Sequence, residues 1–152
     1  ETLLKNLDTI YQRARNIFNE NKEINTGKNY FEQLKHMINS YASDNINVIF
    51  NGNALHEVKL DSEIKIALYR VLQELMVNMK KHSECSLVMI SFKETNSALE
   101  INYSDNGKGT DNQLQIKNGL QNVENRIFSI NGNITFDTEP NKGFKVKITI
   151  PK

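Results

Sequence analysis

Three groups of residues in this sequence have the types and spacing to do chemistry together. The first lies in YRVLQELMVNMKKH, residues 69–82, where Glu74, Asn78 and Lys81 recur at helical spacing and His82 follows. At ~100° per residue, Asn78 falls only ~20° from Val71, on the border of an apolar stripe. An amide that close to a core costs ~1–3 kcal/mol if it is buried without partners. Alone, it reads as a border residue that reaches water. A carboxylate, an amide oxygen and a cation along one helix edge suit a metal-bound polyphosphate instead. There, oxygen atoms ligate the metal and positive charge meets the phosphates. His82 suits either a phosphate contact or a favourable charge at a helix C-terminus.

The second group is YSDNGKG, residues 103–109. Asp105 follows an alternating apolar run and precedes Gly107 and Gly109. A carboxylate can accept a hydrogen bond from an exocyclic amine such as that of adenine. Glycines beside it let the chain turn with φ > 0 and let a flat base come close. The same composition also makes an ordinary turn. In the third group, Gly119 and Leu120 open a helical pattern whose first free N–H groups make an anion site. Read in order, the three groups fit a nucleotide with its base at Asp105 and its phosphates at Gly119.

Regular elements must hold these groups in place. Leu4, Leu7, Tyr11, Ala14 and Phe18 alternate three and four apart, the stripe of a bundle or coiled-coil helix. A polar segment containing Gly27 then reads as a linker. A second helix follows, with Phe31, Leu34, Ile38 and Tyr41 inward, and then a strand at 46–50. The longest helix is predicted near 61–83, capped by Asp61 or Ser62, with Ile64, Leu68, Val71, Leu72, Leu75 and Met79 buried. Two strands, 87–92 and 99–103, flank a turn. A helix from Asn118 to a stop at Gly132 buries Leu120, Val123, Ile127 and Ile130. The final two strands include the alternation of Phe144, Val146, Ile148 and Ile150. Two late hairpins among helices favour an α+β sandwich, a mixed or antiparallel sheet with helices on one face.

Composition narrows the function classes. The 152 residues, 38% apolar and 24% charged, read as one globular domain with a core. A net charge of +1 implies no nucleic-acid partner. A single cysteine, Cys85, excludes an internal disulfide framework and points to a reducing compartment. No apolar run approaches the ~20 residues of a membrane span. The chain starts at Glu1 inside a helical pattern, so it reads as part of something longer.

With the elements assigned, three segments resemble the N box and the two glycine boxes of the Bergerat-fold ATPases: YRVLQELMVNMKKH, YSDNGKG, and NGLQNVENRI with NGNITFDTEPNKGFKVKITIP. They are most similar to the catalytic ATP-binding domain of bacterial sensor histidine kinases. The patterns Q-E-x-x-x-N-x-x-K-H and G-L-x-x-x-x-x-R point to the subgroup related to nitrate and membrane-stress sensors. The resemblance implies a Bergerat-fold α+β sandwich over 30–152, with a mixed, mostly antiparallel sheet. Residues 1–20 would end a dimerisation and phosphoacceptor bundle helix, and 21–29 would link the two. It implies ATP and Mg²⁺ as cofactors. Asn78 would be the Mg²⁺ ligand, Glu74 would order metal or water or assist as a base, and Lys81 and His82 would contact phosphate. Asp105 would read adenine, Gly107 and Gly109 would form the first glycine box, and Gly119 with Leu120 the second. Residues 110–118 stand where the family has its mobile ATP lid. Many relatives carry Gly-Thr where this chain has Gly143-Phe144, the threonine helping to bind adenine through water.

The implied partners are a bundle helix of the same protein, dimeric at full length, and a response regulator. The implied place is a cytoplasmic domain, with membrane anchoring of the full-length protein left open. The family's phosphoacceptor histidine sits beside an acidic residue on the first bundle helix. None of His36, His56 and His82 has that setting, so that helix is expected to lie outside this chain. Two other readings compete. One is a Bergerat-fold serine kinase of the anti-sigma type. The other is a degenerate module that binds nucleotide weakly and regulates by docking, which Phe144 favours.

Overall fold

The computed structural model describes residues 24–109 and 120–152. The expected bundle helix over 1–20, the lid at 110–118 and Gly119 lie outside these residues. In chain order the elements are α1 (Tyr30–Asn39), β1 (Asn47–Asn51), a 3₁₀ turn (Asn53–His56), α2 (Ser62–Asn78), a π-helical turn (Met79–Ser83), β2 (Leu87–Glu94), β3 (Ala98–Asp105), α3 (Gln121–Ser129), β4 (Asn133–Thr138) and β5 (Phe144–Pro151).

The five strands form one sheet in the order β1-β2-β3-β5-β4. Only β1 and β2 pair in parallel. The hairpins β2-β3 and β4-β5 and the central pair β3-β5 are antiparallel. The mixed sheet and both hairpins agree with the alternation in the sequence. Because side chains alternate across a strand, one face carries Val88, Ile90, Leu99, Ile101, Tyr103, Val146, Ile148 and Ile150, all buried. Those side chains share one hydrophobic cluster with the buried residues of α1 and α3 and with Leu68, Val71, Leu72, Leu75 and Met76 of α2. The opposite face is mostly polar. There Lys147 Nζ lies 2.8 Å from Glu100 Oε1, and that hydrogen bond holds the Glu100 carboxyl below the usual carboxylate range.

The helices follow their apolar stripes with local differences. In α1 the buried set is Tyr30, Leu34, Met37 and Ile38. Tyr41 lies beyond the helix end, where the Ser40 hydroxyl donates to the Met37 carbonyl at 2.6 Å. In α2 the expected Leu68, Val71, Leu72 and Leu75 are buried, and Ala67, Arg70 and Met76 join them. Ile64 is only half-buried. Asp61 takes the N-cap position without a side-chain capping bond. Residues 24–29 lie beside α2, with Lys65 Nζ donating to the Thr26 carbonyl at 2.7 Å.

Two expectations about helix ends are corrected. The long α-helix does not reach residue 83: it ends at Asn78 and passes into the π-helical turn, which stops at Glu84 in the left-handed region, φ 54°. The last helix is stopped by Asn131, φ 62°, and not by Gly132. Asparagine tolerates that conformation better than most residues. Gly132 serves packing, since a Cβ there would lie 2.9 Å from Ile127 Cγ2.

Candidate nucleotide-binding site

The sheet's core face and the end of α2 meet at Asp105. Strand β3 carries the aspartate as its last residue, pairing with Phe144 on one side and Val88 on the other. The sequence placed it just after the strand; it is instead still in the ladder. Its side chain therefore points to the core face and is 7% exposed. A polar group so placed needs partners, and three donors supply them. Ser83 Oγ and the Gly107 N–H each donate to Asp105 Oδ1 at 2.9 Å, and Tyr103 Oη donates to Oδ2 at 2.6 Å. Burial, then the Asp105 charge and this hydrogen bond, push the Tyr103 hydroxyl well above the usual phenol range. Tyr103 is therefore a donor here.

The glycine turn is held from both sides. Ser83 lies under Gly107, and the Lys108 N–H donates to the Ser83 carbonyl at 2.8 Å. Asn106 Oδ1 accepts from the N–H groups of Ser86 and Leu87 at 2.9 and 3.0 Å, tying the turn to the start of β2. On the other side the Asn141 N–H donates to the Lys108 carbonyl, and Thr138 Oγ1 donates to the Gly143 carbonyl at 3.0 Å. Gly109, φ 56°, needs the freedom that only glycine has cheaply. Gly107 needs none at φ; it is required because its neighbour is so close.

The helix edge is open to a ligand. Glu74 and Asn78 are half-buried one turn apart on α2. Among the described residues the Asn78 side-chain amide has no hydrogen-bond partner, and Glu74 has no ion pair. Lys81 and His82 are exposed on the π-helical turn, again without an ion pair among the described residues. No described hydrogen bond joins these four to the glycine turn. Their link is Ser83, next in the chain. Leu120 is buried at the start of α3, so its side chain belongs to the core. Gly119 lies outside the described residues. No group of three or more His, Cys, Asp or Glu that could hold a metal occurs among the described residues.

Sequence reasoning missed Ser83 and Tyr103. Tyr103 was legible: two residues before Asp105 on a strand, it must share its face. Ser83 was not, because a serine at a helix end carries no local sign of a carboxylate partner 22 residues along the chain. Phe144, singled out by sequence, is half-buried beside the aspartate, edge-on to Tyr103 and stacked on Phe136 at 6.0 Å.

Residues 63–152 match the family described as histidine kinase-, DNA gyrase B- and HSP90-like ATPases. The chain is 30% identical over 95 residues to the sensor histidine kinase ComP of Bacillus subtilis, covering 60% of this chain and 12% of that protein. It is 32% identical over 96 residues to the histidine-protein kinase/phosphatase DegS of Brevibacillus brevis, covering 61% of this chain and 25% of that protein. The chain thus spans a small part of these relatives. In fold it is similar to the histidine kinase domain of the Erythrobacter litoralis blue-light activated histidine kinase, with a TM-score of 0.68 and 15% identity over 80% of this chain and 58% of that one. The Acinetobacter baumannii histidine kinase AdeS gives a TM-score of 0.65 at 15% identity, covering 99% of this chain and 82% of that one.

The packing at Gly107 generates a test. A Cβ there would collide with Ser83 Oγ and with the Ser83 backbone carbonyl, and would lie 2.9 Å from Asp105 Oδ1. Gly107→Ala should destabilise the protein by ~1–3 kcal/mol, the usual cost of overpacking. Urea unfolding measures this. A variant as stable as the parent would show that the turn is not packed as described.

Proposed function

This chain belongs to the histidine kinase-, DNA gyrase B- and HSP90-like ATPase family, and on that premise we propose that it is the ATP-binding catalytic domain of a sensor histidine kinase. The observation that carries the reading is the buried Asp105 at a strand end beside Gly107 and Gly109, with the Asn78 amide, unpartnered among the described residues, on the neighbouring helix. The proposed domain is 30–152, with 1–20 ending a bundle helix and 21–29 joining them. The proposed subgroup is that of the nitrate and membrane-stress sensors, which the Q-E-x-x-x-N-x-x-K-H pattern supports.

In this reading the adenine amine donates to Asp105, and the phosphates run toward Lys81, His82 and Gly119. The residues suit Mg²⁺ through hard oxygen donors: the Asn78 amide oxygen is free among the described residues, and Glu74 stands one turn away. Mg²⁺ takes few protein ligands and completes its shell with phosphate oxygens and water. Bound there, it would neutralise phosphate charge. Glu74 would order water or metal at the γ-phosphate, and Lys81 would offset the remaining negative charge.

The chain's work is positioning, as phosphoryl transfer generally requires. The γ-phosphate would pass to a histidine nitrogen on a bundle helix, breaking its bond to ADP as the N–P bond forms. It would then pass to a response regulator. None of this chain's own histidines has the bundle-helix setting of the acceptor: His82 is on the turn that ends the binding helix, His36 is on α1, and the His56 ring lies 4.1 Å from that of Phe31. A cytoplasmic location accords with this reading. No helix among the described residues is long and apolar enough to cross a membrane.

Asp105→Asn should weaken ATP by roughly 10- to 150-fold, the scale of a hydrogen bond to a charged group. It should leave a purine triphosphate lacking the exocyclic amine little changed. Calorimetric titration decides, and equal losses for both nucleotides would remove the base-reading role. Asn78→Ala should flatten the Mg²⁺ dependence of ATP binding; a dependence equal to the parent's would remove its metal role. Finally, the chain incubated with radiolabelled ATP should acquire no acid-labile, alkali-stable label until a polypeptide carrying the acceptor helix is added. Such a label on the chain alone would place the acceptor within it. If ATP binds only weakly and without dependence on Asp105 and Asn78, the degenerate-module reading replaces this one.

A further inference from the structure

We propose that Ser83 and Tyr103 are positioning residues that orient the Asp105 carboxylate so that it offers a ligand one remaining acceptor direction. This rests on the reading of Asp105 as the residue that meets the base. An ionised carboxylate has two oxygens and roughly four lone-pair sites. Oδ1 accepts from both Ser83 Oγ and the Gly107 N–H. Oδ2 accepts from Tyr103 Oη. Three of the four sites are filled from within the protein, and the fourth lies on Oδ2.

Without these donors the carboxylate plane would turn broadly, because the torsion that sets it is soft and two-fold. The three donors approach from three segments: the π-helical turn, the strand itself and the glycine turn. Together they fix the plane. The Gly107 N–H alone would hold one oxygen and leave the other free to swing. Tyr103 cannot serve as an acceptor for the ligand in its place, being 2% exposed with its proton committed to Oδ2.

The consequence is selectivity of a stated kind. One acceptor direction at a fixed place rewards a donor, as on a base bearing an exocyclic amine. It penalises a carbonyl there, since two acceptors would then face each other with neither satisfied. Ser83 also joins this selection to the phosphate side, for it directly follows Lys81 and His82 in the chain.

The test compares affinities for ATP and for purine ribonucleoside triphosphate, which lacks the amine, by calorimetry. The parent, Ser83→Ala, Tyr103→Phe, the double variant and Asp105→Ala are titrated, each after its fold is verified by circular dichroism. Each single substitution removes one hydroxyl, and either alone keeps the test open if the other fails to fold. We expect each to lower the ATP-to-purine affinity ratio by roughly 3- to 10-fold, the scale of one hydrogen bond. The double variant should approach the ratio of Asp105→Ala. Affinity for the purine nucleotide should fall less than affinity for ATP. An unchanged ratio in every single variant that folds, with the ratio lost in Asp105→Ala, overturns the proposal and leaves the base-reading role standing. Parallel losses for both nucleotides assign the hydroxyls to stability alone and also overturn it. An unchanged ratio in Asp105→Ala overturns the reading on which the proposal rests.

Discussion

A carboxylate at the end of a central strand, facing the core and almost shut off from water, constrains most of this molecule. Left without partners there, it would cost several kcal/mol. No cation pairs with it among the described hydrogen bonds and ion pairs. Neutral donors satisfy it instead: two hydroxyls and one backbone N–H. Each must come from a different segment, so the strand, the turn after it and the end of the long helix are all fixed relative to one another by a single side chain. A cation would have offered more Coulombic energy but would have competed with any ligand that brings its own donor.

Bringing those segments so close is what the glycines are for. The Gly107 backbone lies directly on Ser83, and Gly143 lies on the Asp105 carbonyl; a Cβ at either would strike backbone. Gly143 also sits at φ 79° and Gly109 at φ 56°. Backbone polar groups left between such close strands of chain are taken up by Asn106, Thr138 and Asn141. The turn is therefore rigid on both flanks, which suits a surface that a flat ring must approach at contact distance.

The π-helical turn gives the long helix its two roles. Through Asn78 the helix is an ordinary amphipathic one, with a buried stripe of Leu68, Val71, Leu72 and Leu75. Over the π-helical turn that follows, Lys81 and His82 face solvent while Ser83 reaches Asp105. Such turns cost hydrogen-bond geometry and occur often at functional sites. Here the gain is a contact between the cationic end of a helix and the polar end of a strand.

Much of this could be read from residues alone. Strict alternation in the late strands, the two turn regions and the stripe of the long helix determined the sheet, its hairpins and the core face, because burial on one side leaves a period that the sequence must carry. The acid with its two glycines, and the amide on a helix border, were legible for the same reason: each breaks a local pattern. Tertiary structure decided the rest. The parallel pairing of β1 with β2 depends on which strand edge is free after the hairpins form. The π-turn at Met79–Ser83 leaves no composition signal, and packing decided between Asn131 and Gly132, both residues that can end a helix. The bond from Ser83 to Asp105 joins residues 22 apart in sequence. No local propensity encodes it; it exists only because a strand end needed a donor and a helix end could supply one.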